Sequence, residues 1–264
     1  MILNANNVLV KYLCSRSGTV RLGSVTTSAP RTARERVREE MTGEILAVAR
    51  DHVARDGAAA LSLRSVARDL GMAPSALYRY FEGRDALLSA LILSAYESLA
   101  AEAERAAAEA AARSADTGAE RWKAVPRAVR TWALARPHEW GLIFGTPIPG
   151  YRAPEDTIEP YARIAAALVR PVVEGHDAER LGPGSRPGSH AVSESLRVAM
   201  APVSDGLFPG VPVERVVVAV EAWTTLVGAV SLEVFGHWRN TILDPREYFE
   251  AVLDDLAASL GLSA

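Results

Sequence analysis

The sequence has little cysteine, little lysine and few aromatic residues. Its 264 residues include one cysteine, Cys14, so one chain cannot form a disulfide framework or a multi-cysteine zinc site. Lysine occurs only as Lys11 and Lys123, and aromatic residues make up 6% of the chain. The formal net charge of −3 excludes a protein that selects its partner by a strong overall positive charge.

Long hydrophobic runs are also scarce. The most apolar stretch, 216–238, is interrupted by Glu221 and Glu233, so its uncharged parts fall well short of the ~20 residues that a membrane span needs. The first residues have neither a charged region ahead of their apolar part nor a clear cleavage site, unlike a secretory signal. We therefore expect a soluble, cytoplasmic protein without a membrane partner.

Motifs for catalysis, phosphate binding and metal coordination are missing. We find no nucleophile elbow, phosphate loop or paired catalytic carboxylates, and His138-Glu139 is an isolated pair of a kind that is more often structural. Glu233 and His237 are one helical turn apart and lack the two further ligands of a metal site, so an ion pair within the helix or a pocket anchor is the interpretation. The sequence predicts no enzyme, no catalytic residue, no metal and no cofactor.

Residues 1–30 show no helical periodicity and end in small polar residues. They contain Lys11, Arg16 and Arg21 and no acidic residue. Two interpretations stay open: a disordered leader, or an artefact of the chosen start codon, and a basic arm that reaches along DNA.

The first helix is predicted to begin at Thr32. Thr32 and Glu35 have the spacing of a capping box, and Gly57 supplies a helix stop. Five residues between them recur on one helical face: Val37, Met41, Ile45, Val48 and His52.

Two short helices joined by a glycine turn are predicted next. Ser62 is a good N-cap, Gly71 ends the first short helix, and Pro74 begins a second that is expected to reach Phe81 and to bury Leu77. The apolar residues of the first short helix share one face: Leu63, Val66, Ala67 and Leu70. This pattern is typical of a helix-turn-helix, and spacing alone leaves a plain helical hairpin open as the alternative.

The rest of the chain has helical patterns throughout, so the fold class is all-α. A long helix is predicted from about Arg84 to Arg113, and its alanine-rich second half is interpreted as a connecting rod with little bulk to bury. Further helices are predicted at 120–135, 137–145, 158–174, 213–238 and near the C-terminus, with a surface loop at 175–190.

Residues 62–92, SLRSVARDLGMAPSALYRYFEGRDALLSALI, resemble the DNA-binding signature of TetR-family (tetracycline-repressor-like) regulators. The resemblance implies an N-terminal three-helix helix-turn-helix DNA-binding domain at 31–92 and a C-terminal helical ligand-binding and dimerisation domain at 93–264. The later segment AWTTLVGAVSLEVFGHW is similar to a C-terminal domain type named for a Trp-His-Gly motif, with Trp223 and Gly228 present and Val227 in place of the histidine.

The resemblance also implies which residues contact DNA. They lie at the start of the second helix, at the recognition helix, and before the long helix: Ser62, Arg64, Pro74, Ser75, Ala76, Tyr78, Arg79, Tyr80 and Arg84. Arg84 stands where lysine is usual and keeps the charge that meets phosphate. Ala73 stands where a serine or threonine cap is frequent, so the recognition helix loses that side-chain cap.

Charge is divided unevenly along the chain, +4 in residues 1–92 and −7 in the remainder. A basic part on an acidic body is the arrangement expected when one end meets DNA, although a merely solvated surface could show the same division.

The last helices are expected to pair with a second subunit, as in the family. The predicted interface residues are Trp223, Val227, Gly228, Ser231, Phe235, Val252 and Leu256. A purely internal core helix is the alternative. Candidate effector-pocket residues are the aromatic and histidine side chains of the helical domain, each of which could equally be core: Trp122, Trp132, His138, Trp140, Phe144, Tyr151, Trp223 and His237.

The predicted function is that of a ligand-responsive transcriptional regulator, a repressor that acts as a homodimer on double-stranded palindromic operator DNA. Its effector is an unidentified small molecule. Two other classes are weighed against it: a helical enzyme or binding protein that borrows the N-terminal domain, and an architectural DNA binder without a ligand.

Overall fold

The structure is a computed structural model that describes residues 32–113, 117–152, 154–174, 192–207 and 210–262. All regular secondary structure in these residues is helical, which confirms the all-α prediction. The predicted leader at 1–30 and the predicted loop at 175–190 lie outside the described residues.

Helices connected by short segments make up the described chain. The α-helices are α1 (Ala33–Asp56), α2 (Leu63–Asp69), α3 (Pro74–Leu77), α4 (Arg84–Ala112), α5 (Gly118–Ala135), α6 (Pro137–Phe144), α7 (Ile158–Glu174), α8 (Glu194–Leu207), α9 (Val213–Val234) and α10 (Pro245–Ser259). Short 3-10 helices are formed by Ala58–Ala60 and Glu155–Thr157.

Two helices end earlier than predicted. α3 ends at Leu77 rather than Phe81, because the next amides of Arg79 and Tyr80 bond three residues back, to Ala76 and Leu77, and so form tighter turns. α9 ends at Val234 rather than near Trp238. Gly236 adopts a φ of 77° there, a conformation that favours glycine and closes the helix.

Helix α8 was not predicted from the sequence. It contains Pro202 in its interior and Gly206 near its end. Both residue types are poor helix formers, so they hide the helical pattern, and packing against α9 stabilises the segment instead.

The described residues group into two compact units. The head unit comprises residues 32–96 and 138–157, and the body unit comprises the described parts of 97–137 and 158–262. Helix α4 therefore contributes residues to both units, and α6 belongs to the head unit although it follows α5 of the body unit in sequence.

The head unit has a core of leucine, isoleucine and aromatic side chains. Its fully buried residues include Ile45, Leu77 and Trp140. The segment that contains α6 packs on α4 within this unit: the Tyr96 hydroxyl donates to the Ile143 carbonyl oxygen at 3.3 Å.

The body unit buries one face of the alanine-rich half of α4. Ala103, Ala106 and Ala110 are buried, whereas Ala101 and Ala108 are exposed, so this half of the helix buries only small side chains, in agreement with the predicted rod that has little bulk to bury. Small side chains on one face of a helix allow neighbouring helices to approach closely.

Three basic residues of α5, which we call the α5 basic row, tie this helix to α9 and α10. Lys123 pairs with Asp254, Arg127 with Glu250 at 2.7 Å, and Arg130 with Glu233 at 2.5 Å. Their spacing of four and three residues places them on one face of α5.

Helices α4 and α9 are each long and apolar enough to cross a membrane by length and composition, with mean hydropathies of 1.3 and 1.5 over 18 residues. The prediction that no segment fits was therefore too strict. Core helices of soluble proteins pass the same test, and half of the α4 window is buried within the protein.

Candidate nucleic-acid interface

Helix α1 provides the support for the helix-turn-helix. It begins with the predicted capping box, in which the Glu35 amide donates to the Thr32 hydroxyl and the Thr32 amide donates to the Glu35 carboxylate. Ile45, Ala49 and Val53 are buried on its second half, whereas Val37 is exposed, so the predicted apolar face covers only that half.

The turn between α2 and α3 depends on Gly71. This residue has a φ of 66°, and its amide donates to the Arg68 carbonyl at 3.0 Å. The next amide, of Met72, donates to the Ala67 carbonyl at 2.8 Å. These two bonds satisfy the last carbonyls of α2 and redirect the chain into α3, as the sequence predicted.

Helix α3 is attached by one side and presents the other outward. Pro74 is its first residue, and no side chain caps it at Ala73, as predicted. Leu77 is fully buried and anchors it. Ser75, Tyr78 and Arg79 are exposed around this anchor. A short helix held by one apolar contact can offer its remaining side chains to a groove.

The nine predicted DNA-contact residues all lie in the head unit, but their exposure differs. The exposed residues are Arg64, Pro74, Ser75, Tyr78 and Arg79, and the half-buried ones are Ser62, Ala76, Tyr80 and Arg84. Neither Arg64 nor Arg79 forms an ion pair with any residue that the structure describes. Their guanidinium groups are available for an external anion.

Ser62 occupies the N-cap position of α2, but its hydroxyl makes no capping bond. The Ser62 carbonyl instead accepts from the Ser65 hydroxyl at 2.8 Å. Ser62 therefore stands at the predicted N-cap position, but its side chain does not cap the helix.

Arg84 has intramolecular partners. Its guanidinium donates to the carbonyl oxygens of Ala58 and Ala59, at 3.1 and 3.3 Å, and to the Asp85 carboxylate at 3.2 Å. These bonds tie the start of α4 to the 3-10 helix that follows α1. Phosphate contact by Arg84 stays a prediction, and the side chain has a structural role beside it.

Arg38 is an interface candidate that the sequence reading missed. Its guanidinium lies over the Tyr80 ring, 5.6 Å from the centroid, and both it and Arg34 are exposed on α1. A cation over an aromatic face is attracted by the ring's quadrupole. The arginines' spacing of four residues was the available signal, because it places them on one helical face.

The excess positive charge of residues 1–92 is not carried by the described residues of the head unit. Residues 32–92 contain equal numbers of basic and acidic residues, so the excess of +4 in residues 1–92 comes entirely from residues 1–31. Any attraction of the described head for DNA therefore depends on where its arginines lie rather than on net charge.

The eight candidate pocket residues do not form one site. Trp122 and Trp223 line a small apolar cavity in the body unit, and the Trp223 indole donates to the Tyr161 hydroxyl at 2.9 Å. Trp132 lies elsewhere in that unit and donates to Ser98. Trp140, Phe144 and Tyr151 belong to the head unit, and His138 and His237 are exposed.

Glu233 pairs with Arg130 of the α5 basic row, at 2.5 and 2.7 Å. The predicted ion pair with His237 is wrong, because α9 ends before His237 and that residue is exposed. Among the residues the structure describes, no three histidine, cysteine or acidic side chains lie close enough to hold a metal ion.

One side of α9, which we call the α9 outer face, is exposed or half-buried. It consists of Val220, Thr224, Val227, Gly228, Ser231 and Phe235. Four of the seven predicted interface residues lie on it, and Val252 and Leu256 are half-buried on α10. Trp223 lines the internal cavity instead.

Two short helices joined by a glycine turn, with the second helix exposed on its outer side, are the architecture of a helix-turn-helix DNA-binding protein. The family description "Bacterial regulatory proteins, tetR family" matches residues 45–91, and "Tetracyclin repressor-like, C-terminal domain" matches residues 122–256.

Known proteins of similar sequence support the same family. HTH-type transcriptional regulator Rv1816 of Mycobacterium tuberculosis is 38% identical over 241 residues, which cover 86% of this chain and 95% of that protein. The solved structure of SCO4313, for which a regulatory role has been suggested, is 34% identical with a TM-score of 0.69, covering 87% of this chain and 100% of that one. A protein of unknown function from Rhodococcus sp. RHA1 is 26% identical with a TM-score of 0.60, covering 85% and 96%.

The chain belongs to the TetR family and is a DNA-binding transcriptional regulator. The matched family and Rv1816 are described as regulators rather than enzymes. Whether the C-terminal part is of the Trp-His-Gly type stays a prediction.

Proposed function

We propose that this chain is an effector-responsive repressor that acts as a homodimer on a palindromic operator in the cytoplasm. The observation that carries the proposal is the outward presentation of Ser75, Tyr78 and Arg79 around the buried Leu77 anchor of α3.

Helix α3 is the element that enters the major groove in this proposal. Arg64 and Arg79 have the geometry to bond phosphates or guanine edges in a bidentate manner. Tyr78 is 48% exposed, and its hydroxyl can donate to a phosphate oxygen. Pro74 and Ala76 supply only apolar contact, so base selection depends on Ser75, the arginines and thymine methyl groups.

The homodimer is supported by the α9 outer face. Phe235 and Val220 are 45% and 39% exposed at the two ends of this face, and Gly228 between them lets another helix approach closely. The opposite side of α9 is occupied by Ala222, Leu226 and Val230, which are buried within the body unit. A two-fold pair would present two copies of α3 to half-sites about 34–36 Å apart.

Effector response is supported by the apolar cavity in the body unit. The cavity is small, about 10 Å³, so an effector enters only after its lining side chains move apart; it is lined by Trp122, Leu168, Val169, Ala219, Ala222, Trp223, Leu226 and Leu260. No charged side chain lines it, so a small uncharged molecule is the fitting ligand class. Such a ligand changes DNA binding only if its affinity differs between the DNA-competent and the incompetent arrangement.

Selection of duplexes from a random library by the purified protein tests the proposal. We expect one two-fold symmetric sequence, bound by an even number of chains as measured by light scattering of the complex. Uniform weak binding to any duplex, falling steeply with salt, would instead support an architectural DNA binder. Placing the selected sequence across a promoter in a reporter strain then distinguishes repression from activation.

A further inference from the structure

Arg163 of α7 binds two carboxylates on another helix of the body unit. Its Nε and Nη2 donate to the two oxygens of Glu104 at 2.8 and 2.7 Å, and its Nη1 donates to Glu97 at 2.7 Å. Both glutamates belong to α4. Because the guanidinium is planar and holds its donors in a fixed fork, these bonds restrain an orientation as well as a distance. One side chain of α7 thus restrains α4 at two points.

The two restrained points lie where α4 leaves the body unit. Glu97 and Glu104 are separated by about two helical turns and therefore share one face of α4. Glu97 directly follows Tyr96, the last α4 residue of the head unit, and Tyr96 donates to the Ile143 carbonyl within that unit. Since α4 is one continuous helix, a displacement at Glu97 is carried toward the helix-turn-helix.

Helix α7 also forms part of the wall of the apolar cavity. Its residues Leu168 and Val169 line that cavity. Earlier in the same helix, the Tyr161 hydroxyl accepts from the indole of Trp223, a cavity-lining residue of α9, and the two rings meet edge to face with centroids 6.1 Å apart. Tyr161 precedes Arg163 by two residues. One helix therefore contacts the cavity and holds α4.

The small size of the cavity is what makes α7 respond to an effector. The lining has to move apart before a molecule fits, and a close-packed interior passes such a movement on to neighbouring helices.

The bonds of Arg163 restrain geometry more than they stabilise the fold. The side chains of Arg163, Glu97 and Glu104 are 25%, 46% and 45% exposed, and ion pairs with this exposure contribute little stability. The coupling cannot exceed the free energy of these bonds, so we expect changes in DNA affinity of about fivefold to tenfold rather than complete loss.

A second arginine with two carboxylate partners provides a matched comparison. Arg105 pairs with Glu102 and Glu109, at 2.5 Å each, and all three residues belong to α4. This network has the same chemistry as that of Arg163, but its ion pairs lie within one helix.

We propose that Arg163 couples the apolar cavity of the body unit to DNA binding. It holds α4 in the DNA-competent position while the cavity is closed, and it draws α4 out of that position when the cavity widens and α7 moves. The inference rests on the proposed effector response and on the proposed reading of DNA by α3. Arg163 is a positioning residue, which acts through α4 rather than by contact with the effector.

The test widens the cavity without a ligand. Ala222 of α9 lines the cavity and is 4% exposed, so Ala222→Leu forces the lining apart. Binding of the library-selected duplex is measured by fluorescence anisotropy for the wild type, Ala222→Leu, Arg163→Met and the double variant. We expect Ala222→Leu to raise the dissociation constant about tenfold. Arg163→Met should weaken binding by the otherwise unchanged protein but improve binding by Ala222→Leu about fivefold.

This reversal of sign is a result that a merely structural ion pair does not give. If Arg163 only stabilised the fold, the double variant would bind DNA worse than Ala222→Leu, because two destabilising changes add. Arg105→Met is the control and should not improve binding by Ala222→Leu. Three results would overturn the inference: a double variant that binds no better than Ala222→Leu, an equal improvement by Arg105→Met, or wild-type affinity of Ala222→Leu.

Ala219→Leu takes the place of Ala222→Leu if circular dichroism shows that the latter does not fold. Ala219 lines the same cavity but is half-buried, so the longer side chain is accommodated more easily. Selection of no duplex from the library would instead contradict the proposed function.

Discussion

The head and body units use charged and apolar side chains in opposite ways. In the head unit, Arg64 and Arg79 are exposed without an ion-pair partner among the described residues, and the apolar anchor Leu77 is buried. In the body unit, the α5 basic row is paired with acidic residues, whereas Val220 and Phe235 are exposed. Exposed charge suits a polyanion, and an exposed apolar face suits a second copy of the chain.

The largest effect is expected from breaking the charge pairing of the body unit. Glu233→Ala leaves the guanidinium of Arg130, whose side chain is 17% exposed, without its carboxylate partner. An uncompensated charge of this kind destabilises a protein by about 3 kcal/mol or more. Chemical denaturation should show this loss, with Glu102→Ala on the α4 surface as the control, and an unchanged midpoint for Glu233→Ala would contradict the assigned role.

A charge on the α9 outer face should separate the subunits. Gly228→Glu would bury two carboxylates in the proposed interface, at a cost of several kcal/mol. Light scattering should report monomers for this variant and dimers for Ala108→Glu, which adds the same charge to the exposed surface of α4. A dimer that survives Gly228→Glu would remove this face from the interface.

Two similarly exposed tyrosines allow a matched comparison between the units. Tyr78 on the recognition segment is 48% exposed, and Tyr248 on α10 is 46% exposed. Tyr78→Phe should weaken duplex binding about fivefold to tenfold by removing one phosphate hydrogen bond, and Tyr248→Phe should not change it. Equal effects of the two variants would show that α3 is not the element in contact.

The smallest effect concerns Arg84. Because its guanidinium holds the Ala58 and Ala59 carbonyls, Arg84→Ala should lower the stability of the head unit by about 1 kcal/mol. Arg84→Lys keeps the positive charge but loses the planar guanidinium that bonds two carbonyls. It should therefore restore any phosphate contact, while the midpoint of thermal unfolding stays as low as that of Arg84→Ala. If Arg84→Lys instead unfolds at the wild-type temperature, the charge at this position and not the two carbonyl bonds stabilises the head unit.

The sequence predicted the head unit better than the body unit, for a physical reason. Thr32, Gly57, Gly71 and Pro74 determine where helices begin and end through local backbone conformation, so their effects are readable from neighbouring residues. The boundaries of α3 and α9 were overestimated, because apolar periodicity continues beyond the last regular hydrogen bond. Helix α8 was missed since Pro202 and Gly206 obscure a helix that tertiary packing stabilises.

The site residues divide in the same way. The exposure of Ser75, Tyr78 and Arg79 follows from their places beside the buried Leu77, within α3 or directly after it. The Ala58 and Ala59 carbonyls that bond Arg84, and the partners of Glu233 and His52, could not be predicted, because they lie on other elements. Long-range pairing depends on the packed fold rather than on local spacing.

Methylation interference on the selected duplex tests the central claim most directly, because it reports which groove each half-site uses. We expect methyl groups at guanine N7, in the major groove, to block binding at two symmetric positions about ten base pairs apart. Interference only at adenine N3, in the minor groove, or at a single unsymmetric position would contradict the account.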